Sequence, residues 1–352
     1  MEKVIKQRIG IDCAQDELVS AFGIMGQDFE IQIVSNKVFS NNKAGFPNLL
    51  AWGKKLKHQG VELEFVIEAT GVYHEQVALY LFEQGQKISV VLPNKIKNFA
   101  GTEKIKTVND KVAAQTIARF GLEKKVDTWQ PPNKIYNELK QLTRERDQLN
   151  SELTLVRNQL HAEEAGAWPN KASIKRMKGR MTLIEKQKTE IVKEINAIVK
   201  GNKALKEKVS IICSIKGVGV LTAVTVIAET NGFNLIRNKK QLVSYAGLDV
   251  QEKVSGTSVH GKPRISHKGN SYLRKAMYFP ALTAIKHAPK MKNIFVRLVS
   301  KHGIKMKAAV AVQRKMLELI YTLWKKNEPF DPKFEERKKL EQPIEAALNE
   351  MA

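Results

Sequence analysis

The stretch "QRIGIDCAQDELVSAFGIM" carries two apolar runs around a polar turn at Ala14–Glu17, which predicts two strands. "EIQIVSNKVFSN" alternates in the same way, "VELEFVIEATG" reads as a further buried strand, and "KISVVLPNKIKNF" supplies a fifth. Helical spacing appears in "GFPNLLAWGKKLKHQG" and "YHEQVALYLFEQG", each ending near Gly as helices do. Strands first, then strand–helix alternation, predict a mixed α/β sheet with helices on its faces over residues 1–125.

From Asn133 to about Ala204 the period changes to that of long helices. Leu139, Leu142, Leu149, Leu153, Val156 and Leu160 follow a three–four spacing, with Arg146 filling one seam position. After the break "AEEAGAWPNKAS" the spacing resumes at Ile174, Met177, Met181, Ile184, Lys188, Ile191, Ile195 and Ile198. Two heptad stretches around a Gly- and Pro-containing break predict an antiparallel helical hairpin. Ordinary core helices are the alternative reading of the same spacing. From Val209 onward the pattern is again mostly helical, and the polar end "DPKFEERKKLEQPIEAALNEMA" reads as a loose tail or a docking helix.

Charge changes this picture. The chain of 352 residues holds 59 Lys and Arg against 36 Asp and Glu, for a net charge of +23 and a pI of 9.8. That balance is the footprint of a polyanion binder. Between Glu252 and Glu318 there is no acid at all, yet fifteen Lys and Arg fall there, interleaved with apolar helix-forming stretches. A run of like charge is most often a solvated face; here it predicts a folded basic surface that neutralises phosphates. The two cysteines, Cys13 and Cys213, lie far apart in apolar segments without metal-ligand spacing, which predicts packed free thiols in a reducing compartment. No apolar run reaches the length of about 18 residues that a membrane span needs, so the expected location is cytoplasmic, at the nucleoid of a bacterium.

Two constellations carry candidate chemistry. Asp12 sits in an apolar strand, Glu68 ends another, and Asp110 opens the helix "NDKVAAQTIARFG". A buried carboxylate is costly unless a cation or hydrogen bonds compensate it, and an acid at a helix start is favourable without any metal. Together the three suit a hard divalent cation such as Mg²⁺, which takes few carboxylates and keeps several waters. The second constellation is "VSGTSVHGKPRISHKGNSYLRK", residues 254–275, where Ser255 and Ser258 stand among His260, Lys262, Arg264, His267, Lys268, Arg274 and Lys275. A serine needs something to take its proton or steady the developing charge, and cationic groups can clamp a transferring phosphoryl. The same residues also read as a phosphate-binding basic loop in which serine only donates hydrogen bonds. In "SIKGVGVLTAVTVIAE", Gly217 and Gly219 make a tight turn opening a helix, whose amides could approach a phosphate backbone.

These segments resemble a known family. "IGIDCAQDE", "VIEATGVYHE", "VVLPNKIKNFA" and "DKVAAQTIARFG" are similar to the N-terminal domain of DEDD-type insertion-sequence transposases, the family numbered one hundred and ten. That family includes relatives of the Piv invertase and bridge-RNA-guided recombinases. "IKGVGVLTAVTVIAE", "QLVSYAGLDV" and "SGTSVHGKPRISHKGNSYLRKAMY" resemble its C-terminal transposase domain. The resemblance runs from about Arg8 to Trp324 and implies an RNase-H-like, RuvC-like N-terminal domain whose four acids gather Mg²⁺. It implies Asp12, Glu68 and Asp110 as the first three. The family's fourth acid follows the third at i+3, where this chain has Ala113. Ser255 is the implied nucleophile, working in a composite site with acids of another subunit, and Gly256 beside it lets the backbone approach DNA closely.

The expected organisation is a RuvC-like domain over residues 1–128, a coiled-coil hairpin over 129–205, a helical transposase domain with the serine over 206–328, and a tail over 329–352. The expected partners are target and donor DNA, a noncoding guide RNA and further copies of the chain, a dimer assembling to a tetramer. Ala113 predicts a chain that binds nucleic acid but cuts poorly. A RuvC-like structure-specific nuclease and a non-catalytic, domesticated nucleic-acid binder are the competing expectations.

Overall fold

A computed structural model describes residues 3–103, 109–234, 236–252, 254–255, 259–261 and 264–334. The chain divides into two compact units, residues 1–131 and 132–352.

The first unit is built on a five-stranded sheet in the order β3-β2-β1-β4-β5. β1 (Lys6–Cys13), β2 (Glu17–Met25) and β3 (Ile31–Ser40) form an antiparallel meander, while β4 (Leu63–Glu68) and β5 (Lys87–Val91) run parallel to β1. Alternation along each strand sorts side chains to two faces. Ile9, Ile11 and Cys13 point to the face covered by α1 (Gly45–Leu56) and α2 (Glu75–Glu83), in a core with Phe46, Leu49, Val77 and Leu81. Val66 and Val91 point the other way, onto α3 (Pro93–Thr102) and α4 (Asp110–Glu123), with Ile96, Phe99, Ile117 and Phe120. The stretch "PNKIKNF", grouped with the fifth strand by its apolar run, is helical. Pro93 has no amide hydrogen to lose at a first helical position, so it opens α3.

Close approach fixes how α4 crosses the sheet. A Cβ on Gly10 would overlap the carbonyl oxygen of Ala114 and the amide nitrogen of Ala118, so only glycine lets the helix lie against β1. Asn109 caps α4 by accepting from the Val112 amide at 2.9 Å.

The second unit contains α5 (Lys134–Ala165), α6 (Lys171–Gly201) and α7 (Lys203–Cys213), followed by α8 (Val220–Glu229) and α9 (Lys239–Tyr245). The long helical pattern before Ala204 thus resolves into two long helices and the start of a third, with Asn133, Asn170 and Asn202 each accepting from amides as N-caps. Leu139, Leu142, Leu149, Leu153 and Val156 of α5 share one core with Ile184, Ile191, Ile195 and Val199 of α6. Of the polar seam residues, Lys188 pairs with Glu185 at 3.1 Å. The unit closes with α10 (Ser271–His287), α11 (Pro289–His302) and α12 (Lys305–Lys326). Between α9 and α10, β6 (Val250–Gln251) pairs with β9 (Arg264–Ile265), and β7 (Val254–Ser255) with β8 (Val259–His260). The chain beyond Phe334, which holds most of the expected tail, lies outside the described residues, as do Gly256, Ser258 and Lys262. No helix among the described residues is long and apolar enough to cross a membrane.

Candidate functional site

The parallel register of β1 and β4 ends on the pair Ile11 and Ile67. One step further along both strands lie Asp12 and Glu68, side by side at the ends of adjacent strands. Asp12 shares its sheet face with Gly10, and Gly10 touches α4 at Ala114. One helical turn before Ala114 is Asp110, so the same crossing that demands glycine brings this acid toward Asp12. Ala113, three residues after Asp110, presents a methyl group on the same stretch of helix.

Electrostatics record this convergence. Burial raises the pKa of Asp12 above the usual aspartate range and the Asp110 carboxylate raises it further, against a hydrogen bond from the Cys13 backbone. Glu68 is raised by burial and then by Asp12. The buried Cys13 thiol, on the opposite face, is pushed up to about 12 by burial, then by Asp12 and Glu68, so it stays protonated and unreactive. Both cysteines are free thiols.

The far end of the same sheet face shows what compensation looks like. Glu64 is fully buried there but pairs with Arg8 at 2.5 Å and accepts from Ser89 at 2.8 Å. Among the described residues, neither Asp12 nor Glu68 forms an ion pair. All-oxygen, half-buried and mutually repelling carboxylates fit a hard divalent cation in chemistry. In spacing they offer a pair with a third acid nearby: among the described residues, no group of three or more His, Cys, Asp or Glu is gathered tightly enough to hold a metal ion by itself.

Asn41 is a residue that sequence reading passed over. Its side-chain amide donates to the Ala14 carbonyl at 2.8 Å and to the Tyr73 carbonyl at 3.0 Å. It thereby clips the turn after Asp12 to the loop after Glu68. Nothing local distinguishes it from any polar residue following a strand.

In the second unit Ser255 lies in β7, its backbone paired with Val259. Arg264 and Lys268 are exposed around the base of this segment. Arg274 donates to the Ala246 carbonyl at 2.8 Å and the Gly269 carbonyl at 3.3 Å, and Lys275 pairs with Asp147 at 2.8 Å. Gly217 has φ +98°, and a Cβ there would come 2.9 Å from the Pro280 carbonyl, so packing against α10 already demands glycine. Gly219 caps α8 with open space around it.

A family profile described as "Transposase", named for the DEDD transposases of IS110, matches residues 9–163. Another, described as "Transposase IS116/IS110/IS902 family", matches residues 209–295. The pilin gene-inverting proteins of Moraxella bovis and Moraxella lacunata are each 27% identical over 332 residues, 94% of this chain and 99% of theirs. Among solved structures, that of T. thermophilus RuvC in complex with Holliday junction substrate covers 35% of this chain and 99% of its own, at 11% identity and a TM-score of 0.28.

Proposed function

From the premise that this chain belongs to the IS110 family of transposases, we propose that it is a DNA recombinase that breaks and rejoins strands through Ser255, assisted by Mg²⁺ at Asp12 and Glu68 and guided by a noncoding RNA. Transposase membership makes DNA the partner and strand cleavage the activity of the family. The observation that carries the finer reading is the pair Asp12 and Glu68, half-buried and without an ion-pair partner among the described residues, with Asp110 brought toward it by the Gly10 crossing.

In this reading the Ser255 Oγ attacks a phosphodiester phosphorus, its proton passes to water, a serine–phosphate bond forms, and the departing sugar oxygen is protonated. Rejoining reverses these steps with a new strand end. A bound Mg²⁺ would supply charge neutralisation at the phosphate. Asp12 and Glu68 of another copy would hold it with Asp110 as the third acid, and Arg264 and Lys268 bind the flanking backbone. Gly219, with Gly217 shaping its turn, offers open amides to a phosphate, and Gly256 and Lys262 complete the serine segment. The finer partition belongs to the same proposal: a RuvC-like domain over 1–128, a coiled-coil hairpin over 129–205 that pairs copies into a dimer and then a tetramer, and a transposase domain over 206–328.

Ala113 supports a second reading, a nucleic-acid binder that has lost cleavage. One experiment separates the two. Ala113→Asp is compared with the unmodified chain for Mg²⁺-dependent covalent protein–DNA adduct, in the presence of RNA co-purified from cells carrying the flanking element. The expected result is adduct only in the Ala113→Asp form, abolished by adding Ser255→Ala. Adduct that persists without the serine removes its role. No gain from Ala113→Asp removes the role of position 113.

A further inference from the structure

Glu229, the last residue of α8, is the most heavily partnered buried acid among the described residues of the second unit. Its side chain is 0% exposed and meets the Arg144 guanidinium of α5 through two hydrogen bonds, 2.7 and 2.9 Å. The Asn270 amide donates to the same carboxylate at 2.6 Å, and the Tyr245 hydroxyl donates to the Glu229 carbonyl at 2.9 Å. The Asn270 side-chain oxygen also accepts from the backbone amides of Tyr272 and Leu273 at the start of α10, and the Asn270 backbone amide donates to the Tyr245 carbonyl at 2.7 Å. Arg144 lies 4.5 Å over the Tyr272 ring.

A buried ion pair is a poor source of stability, because desolvation offsets most of its attraction. What this one does is join four elements at a point. From that point the chain leaves at Gly247 and returns at Gly269, where a Cβ would come 2.5 Å from the Tyr245 carbonyl and 2.6 Å from the Gly247 amide. The departing and returning strands are then tied rung by rung. The His267 amide donates to the Gly247 carbonyl at 3.3 Å, and the Ser266 amide to the Asp249 carbonyl at 2.8 Å. The Ser266 hydroxyl donates to the Asp249 carboxylate at 2.5 Å. β6 and β9 follow, and then β7 and β8 with Ser255.

We infer that Glu229, Arg144 and Asn270 are positioning residues: they form a buried anchor that fixes the root of the Ser255-bearing segment and, through Arg144, ties it to α5. The catalytic part of this inference rests on Ser255 being the nucleophile, as proposed above; the anchoring part does not. Misplacement of a reacting group by about 1 Å can cost on the order of a hundredfold in rate, so a rigid root is needed beneath a nucleophile carried on short strands.

Asn270→Asp separates anchoring from helix capping. Aspartate caps a helix as well as asparagine does, but it cannot donate to Glu229 and sets a second carboxylate against it. Adding Glu229→Gln removes the like-charge contact and lets the new amide at position 229 donate to the carboxylate at position 270, while Arg144 keeps one acceptor oxygen at position 229 in place of two. Amide hydrogen exchange on the full chain is the first readout. Asn270→Asp is expected to speed exchange at Ser266 and His267 by about tenfold or more while Tyr272 and Leu273 change little, and the double variant is expected to restore part of that protection. If Ser266 and His267 keep their protection in Asn270→Asp, or the double variant recovers none of it, the anchor is refuted. Should Asn270→Asp not fold, Arg144→Lys, which keeps the charge and loses the two-pronged geometry, is expected to loosen the same amides.

The second readout is the rate of adduct formation in the Ala113→Asp background, with DNA affinity measured alongside. The rate is expected to fall and recover with protection while affinity stays within about threefold. Loosened amides with an unchanged rate overturn the catalytic part. An adduct that survives Ser255→Ala overturns the nucleophile reading instead, and leaves the exchange result standing.

Discussion

Asp12 and Glu68 place two carboxylates where the folded protein disfavours their charge. Both pKa values are raised above 3.8 and 4.5 respectively, by burial first and then by a neighbouring acid. The folded state therefore binds protons more readily than the unfolded chain, and stability falls as pH rises from the ordinary carboxylate range through the raised folded values. Asp12→Asn is accordingly expected to raise the thermal midpoint at pH 7, by roughly 2 °C, with the gain vanishing toward pH 4. Millimolar Mg²⁺ is expected to raise the midpoint of the unmodified chain, since a cation that binds only the folded form stabilises it, and to do little for Asp12→Asn. A midpoint that drops in Asn-bearing protein at pH 7 would contradict the electrostatic account.

At the scale of elements, the crossing of α4 over β1 places the third acid, and Gly10 permits that crossing. Gly10→Ala would press a methyl group into helix backbone, which has no side chain to swing aside. The expected loss is about 1–3 kcal/mol or more in denaturant unfolding, together with a weaker Mg²⁺-induced shift as α4 is lifted. A cost under about 0.5 kcal/mol, a surface-like value, would mean the helix does not lie where Gly10 places it. The elements differ in how readable they were. β1 to β5 and the long helices announce themselves by period, and an acid inside "RIGIDC" stands out against apolar neighbours. α3 was obscured because its apolar residues follow directly on those of β5, and only Pro93 marks the change. Glu229 was illegible for a different reason. At the end of "VTVIAE" it looks like any solvated helix terminus, and its partner Arg144 is 85 positions away. The pairing exists only once α5 and α8 have packed.

For the whole molecule, the acid-free interval decides how it meets nucleic acid. Lys286, Lys292, Arg297, Lys301, Lys305 and Lys307 are all exposed along α10, α11 and α12, with no carboxylate among them in sequence. Arg314 and Lys315, by contrast, pair with Glu318 at 3.0 Å each, where the acid-free run ends. Cations of the first kind bind phosphate without reading bases, and each one engaged releases a counterion. Duplex lacking any guide-matched sequence should therefore bind with a steep salt dependence, a slope of log K against log salt of about −5 if some six phosphates are met. Replacing Lys292, Arg297 and Lys301 by alanine should lower that slope by about 3 and weaken matched and unmatched duplexes alike. Fluorescence anisotropy across a salt series measures both quantities. A slope that survives the triple replacement would move the phosphate contacts off α11, and a loss confined to matched duplex would mean that these side chains read sequence, a task the proposed mechanism leaves to RNA pairing.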